Sequence, residues 1–223
     1  GEKVVVNYRY LSPKGSEDGI WGTMEYLFLR KISMNDNDYF VVYDLEGKSE
    51  ILVNENSSRA SITDEAACMQ QPSNVDCIVN EKEVTIDFGG GRRRIYEVVN
   101  EYWLTRSHRL LKERTAKGNW LIYYYRAKCQ LERVDVVSGD LQQVLASVNF
   151  RYQTNRLEDP SVIVSVNGKN QCFFRYKKLG SQYLLVSIED DNGIVESYKY
   201  REKTKKHRWK TQEYRLNKIE YAN

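Results

Sequence analysis

The side chains best placed to do chemistry in this chain are basic and aromatic. Within 198–215, Lys199, Arg201, Lys203, Lys205, Lys206, Arg208 and Lys210 interleave with Tyr198, Tyr200, Trp209 and Tyr214. Cations that neutralise phosphate and rings that stack on bases are the ingredients of single-stranded nucleic-acid surfaces. Anionic polysaccharide or lipid headgroups call on the same groups. Binding of a nucleic acid or other polyanion through Tyr198, Lys199, Tyr200, Arg201, Arg208 and Trp209 is therefore one expectation. A solvated hairpin turning at 203–207, with lysines guarding an exposed edge, is the simpler account. A pI near 8.5 also falls below that of dedicated nucleic-acid domains.

Gly89-Gly90-Gly91-Arg92-Arg93-Arg94 is a second candidate. Glycines let backbone amides approach an anion, and guanidinium groups bind phosphate or carboxylate through paired hydrogen bonds. Strand alternation places Arg92 and Arg94 on one face and Arg93 on the other. A glycine loop between two strands explains the same residues without any ligand.

Catalytic motifs are missing. His108 and His207 have no carboxylate at metal-ligand spacing, and the chain contains no His-Glu-x-x-His, Cys-x-x-Cys or Gly-x-Ser-x-Gly. Asp36 and Asp38 resemble the start of a calcium loop, but Val41 and Gly47 stand where Gly and Glu are required. No metal and no cofactor is implied. A hydrolase needs only two carboxylates assembled from separate strands, and it stays as the enzymatic alternative with no residue nominated.

Cys68, Cys77, Cys129 and Cys172 form an even set. Two disulfides are expected, Cys68–Cys77 closing a loop and Cys129–Cys172 crossing the sheet, among the three pairings that four cysteines allow. Disulfides imply a periplasmic or secreted location, with four buried thiols in the cytoplasm as the alternative. The chain opens Gly1-Glu2-Lys3 without Met, from which a cleaved leader or trimmed start is expected. No run of about 18 apolar residues suggests a transmembrane helix.

The elements that must position these groups read as strands. β-branched and aromatic runs between turn signals cover 4–10, 22–32, 39–45, 50–54, 83–88, 92–99, 120–127, 129–137, 161–166, 171–177, 182–189, 194–201 and 208–221. The 17 Tyr, against 6 Phe and 4 Trp, suit half-buried strands whose hydroxyls reach water or a partner. Asp190-Asp191-Asn192-Gly193 predicts a two-residue hairpin turn, because Asn-Gly supplies positive φ angles. Helical spacing predicts short helices at 58–71 and at 140–149, the second capped by Asp140, and leaves 101–115 ambiguous. The expected fold is mainly β, an antiparallel meander forming a barrel or strongly curved sheet with one to three short helices. One domain over 1–223 is expected, with 1–155 and 161–223 as the alternative division.

Gly19-Ile20-Trp21 matches the Gly-x-Trp that lipocalins and related ligand-binding barrels carry near their first strand. The match stops at three residues and the later motifs have no counterpart, so no family is assigned. Trp21, Trp103, Trp120 and Trp209 read as core residues first and ligand contacts second. Charge is uneven: residues 1–80 hold 7 Lys or Arg against 13 Asp or Glu, and residues 81–223 hold 27 against 18. A basic partner surface would lie in the later part. The leading expectation is a non-enzymatic, extracytoplasmic binding or envelope-associated protein with an unidentified ligand or protein partner.

Overall fold

The computed structural model describes residues 28–34, 37–43, 50–54, 75–99, 108–126, 130–153, 160–179, 182–203 and 213–221. Fifteen strands and no helix are found among them. All strand pairings are antiparallel, as the meander predicted. The strands fall into two compact units, divided after Ala146.

The first unit holds β1 (Phe28–Met34), β2 (Asn37–Tyr43), β3 (Glu50–Asn54), β4 (Asp76–Val79), β5 (Glu83–Gly89), β6 (Arg92–Val98), β7 (His108–Arg114), β8 (Trp120–Tyr125) and β9 (Leu131–Val137). β4 to β9 pair in chain order, and β1 to β3 form a second run. The two runs meet on β7. Its one edge pairs with β6 along the whole strand, while the other takes β1 at His108 and Arg109 and β8 from Lys112 to Arg114.

The second unit holds most of β10 (Val144–Gln153), then β11 (Ser161–Val166), β12 (Lys169–Leu179), β13 (Gln182–Asp190), β14 (Gly193–Lys203) and β15 (Glu213–Tyr221). Each pairs with the next in order. From β12 onward every strand carries one residue more than its predecessor needs: Gln171, Val186, Val195 and Asn217. Such bulges bend a strand and strengthen the local right-handed twist.

Period-2 alternation builds both cores. In β5, Val84 and Ile86 point inward between half-exposed Glu83, Thr85 and Asp87. In β8, Leu121 and Tyr123 do the same. Ser161 to Val164 are all buried, so β11 is covered on both faces. Leu29, Leu110 and Phe40 are at most 1% exposed, and each such side chain contributes about 1.5–3 kcal/mol by leaving water. Several tyrosines add a hydroxyl tether to their ring packing. Tyr125 donates to the Leu110 carbonyl at 2.6 Å, and Tyr200 to that of Leu185 at 2.7 Å.

Three expectations need correction. No pairing among the described residues closes a barrel. The helix at 140–149 is absent, because Leu141 sits in a turn with φ 62° and β10 starts at Val144. Asp140 still caps locally, accepting from the Gln142 amide at 3.2 Å and from the Ser138 hydroxyl, but no helix follows. The Asn-Gly hairpin forms at β13–β14 by another geometry. Asp191 and Asn192 make the turn and only Gly193 has positive φ (120°), with Asp190 accepting from the Asn192 amide at 2.7 Å. The Asn-Gly turn with two positive φ angles is Asn167-Gly168, between β11 and β12 (49° and 80°). In the ambiguous stretch, 108–114 is strand β7. The segments 1–27, 55–74 and 100–107 lie outside the described residues, and with them the helix expected at 58–71, Gly19-Ile20-Trp21 and Trp103.

Candidate functional site

The basic-aromatic segment is the hairpin of β14 and β15. Alternation sorts its side chains onto two faces. Glu196 lies opposite Tyr221, Tyr198 opposite Ile219 and Tyr200 opposite Leu216, which gives an aromatic and aliphatic face. Ser197 lies opposite Glu220, Lys199 opposite Lys218 and Arg201 opposite Arg215, which gives the other. The extra residue Asn217 keeps Leu216 on the same face as Ile219 although they are three positions apart.

The contacts respect this division. Tyr198 donates its hydroxyl to Glu196 on the apolar face. Lys199 and Lys218 both donate to Oε1 of Glu220, at 2.8 and 2.9 Å, and Ser197 donates to Oε2 at 3.4 Å. Hydrogen bonds from these two ammonium groups hold the Glu220 carboxyl down at about 2. Burial pushes the Tyr200 phenol up to about 12. Burial, reinforced by the Glu196 carboxylate that accepts its hydrogen bond, raises Tyr198 beyond the ordinary phenol range. Both rings are therefore neutral donors at physiological pH. Leu216 (51%), Ile219 (36%) and Tyr221 (67%) remain exposed on the apolar face.

Like charges directly opposite each other on a sheet are unfavourable. Glu220 relieves the Lys199–Lys218 pair. Among the described residues, no acid pairs with Arg201, whose strand position faces another arginine. Arg208 and Trp209 lie outside the described residues.

Arg92 and Arg94 are in the first unit and differ in environment. Gly89, Gly90 and Gly91 all have positive φ (76°, 60°, 78°), so they make the β5–β6 turn, and Arg92 is exposed beside it. Arg94 turns inward. It is 2% exposed, its Nε is 3.2 Å from Oε2 of Glu113 directly across on β7, and its guanidinium lies 5.1 Å from the Phe88 ring centre. Burial opposes the Arg94 charge, but the Tyr96 and Glu113 oxygens more than offset it and the pKa is raised. Arg93 approaches Asp87 at 3.7 Å. The signal for this arrangement was Tyr96, two residues on and fully buried, which shares the Arg94 phase.

Sequence reading also missed a run of cations over rings in the same unit. Arg133 sits over Tyr124 at 4.1 Å and Arg109 over Tyr125 at 4.9 Å. Lys112 lies over Trp120 at 5.3 Å. Such contacts are worth about 0.5–1 kcal/mol at exposed sites and brace the sheet surface.

No disulfide is found among the described residues: Cys77 is buried in β4 and Cys172 is half-buried in β12. Cys68 and Cys129 lie outside the described residues. No group of three His, Cys, Asp or Glu able to hold a metal occurs among the described residues. No described helix is long and apolar enough to cross a membrane. Compared with known proteins, the chain matches no family model and no curated relative.

Proposed function

We propose that this protein is a non-enzymatic binding protein of the periplasm or cell exterior, and that its β14–β15 hairpin takes a linear polyanion by charge. The observation that carries this reading is the pair of like-charged positions in succession on one face, Lys199 with Lys218 and Arg201 with Arg215. One acid offsets the first pair, and an anionic ligand would offset Arg201. Along β14, Lys199 and Arg201 recur at about 6.6–6.8 Å, twice the rise per strand residue, a spacing that suits a polymer with regularly repeated charges. The tyrosines argue for polysaccharide over nucleic acid. Tyr198 and Tyr200 face away from the cations, so base stacking and phosphate neutralisation would need opposite faces of the ribbon.

A titration with a sulfated polysaccharide and with a single-stranded oligonucleotide, each at low and moderate salt, tests this. Polysaccharide binding should weaken steeply as salt rises, and Arg201→Ala should lower the slope of affinity against salt. Tyr198→Phe should leave affinity unchanged. Binding insensitive to salt, or lost with the ring of Tyr200, would overturn the reading. The compartment is tested by counting thiols under denaturing conditions in protein from its native source. Four free thiols there would place it in a reducing compartment.

A further inference from the structure

We propose that two copies of this chain pair antiparallel through the outer edges of β15. Among the described residues β15 pairs only with β14, so its other edge offers backbone donors and acceptors to a further strand. The outer residues of the segment Tyr214-Arg215-Leu216-Asn217-Lys218-Ile219-Glu220-Tyr221 are complementary to those of its own reverse. Antiparallel pairing about its centre sets Tyr214 opposite Tyr221 of the second copy, Arg215 opposite Glu220 and Leu216 opposite Ile219. Symmetry makes each match twice. One register thus joins rings to rings, aliphatics to aliphatics and cation to anion.

Facing is the stricter condition. A two-fold axis normal to the sheet keeps each face of one copy on the same side as that face of the other. In an unbroken strand, an eight-residue segment folded on its centre would pair residues of opposite faces. The extra residue Asn217 corrects this. Tyr214, Leu216, Ile219 and Tyr221 all occupy positions on the apolar face, and Arg215 and Glu220 positions on the charged one. Glu220 has Oε1 taken by two lysines, while Oε2 makes only the longer contact with Ser197, which leaves an oxygen for one more donor. A second copy is the occupant favoured because the complementarity is of the strand with itself. The pairing is isologous and closes at two, using up both edges.

Edge pairing alone buries little surface, so the dimer should be concentration-dependent. Sedimentation equilibrium on the full chain should show the mass rising from that of one copy to that of two. Arg215→Glu alone and Glu220→Arg alone should each hold the protein monomeric, and the double exchange should restore the dimer. Circular dichroism identifies any variant that fails to fold, and a nitroxide at Asn217→Cys gives an independent readout, dipolar broadening at dimer concentrations. A monomer throughout, which is what an edge merely guarded by Lys218 and a bulge would give, overturns the proposal. So does a dimer indifferent to both single exchanges, or growth beyond two copies. None of these outcomes depends on polyanion binding.

Discussion

Arg94 and Glu113 face each other across β6 and β7, Nε 3.2 Å from Oε2, with the arginine side chain 3% exposed and the glutamate 16%. What the sequence presents as an anion-binding arginine is held inside the sheet by an anion of the protein's own. Such a pair adds little net stability over an apolar pair of the same size, yet losing one member is costly because a buried charge is left behind.

The two halves of this pair should therefore differ. Glu113→Gln removes the carboxylate beside the deeper charge and should cost about 3–5 kcal/mol. Arg94→Met should cost less, since Glu113 can still reach water. Urea unfolding midpoints measure both, and equal losses would show that the pair is not the dominant contact.

Glu220 should titrate near 2, well below the ordinary 4.5, because Lys199 and Lys218 both bond it. A depressed carboxylate adds stability that is present above the unfolded value and lost as pH falls through the folded one. The contribution of this group should thus vanish between 4.5 and about 2. Side-chain carboxyl NMR shifts follow it directly. Lys199→Ala and Lys218→Ala should each move the midpoint up.

At the other end of the scale, Tyr96 and Tyr200 are each pushed up to about 12 from 10, chiefly by burial. A phenol raised on folding adds stability that is complete below its unfolded value and lost as pH rises through the folded one. Stability should decline between 10 and about 12. Ultraviolet titration should show a late-ionising class of tyrosines, and Tyr200→Phe should remove one member of it.

Reduced Cys172 should alkylate slowly at neutral pH. Burial, and secondarily the Asp190 carboxylate, raise its pKa, and only the thiolate reacts. Reaction with iodoacetamide should accelerate as pH rises, and Asp190→Asn should speed it at fixed pH. A rate equal to that of free cysteine would count against this environment.

Much of the meander was legible because half-buried strands write their facing in every second residue, as Val84 and Ile86 do. The helix predicted at 140–149 came from apolar residues at helical spacing with no face to cover. Leu141, Val144 and Leu145 are about half exposed, and spacing alone cannot report that. Alternation likewise put Arg92 and Arg94 on one face without saying which face was inside. At the β14–β15 hairpin, composition was legible but facing was not. A bulge is invisible in a period-2 pattern, so rings and cations that look interleaved in the chain separate in space.

The bulges of the second unit have one more consequence. Gln171, Val186, Val195 and Asn217 each lie outside the register with the strand before, and among the described residues none takes a place in the register with a strand after it. Each could be deleted with every cross-strand neighbour kept. Strand length and side-chain facing are thus separable variables in this unit, and a one-residue length change at these four positions leaves the surface chemistry of the hairpins as it was.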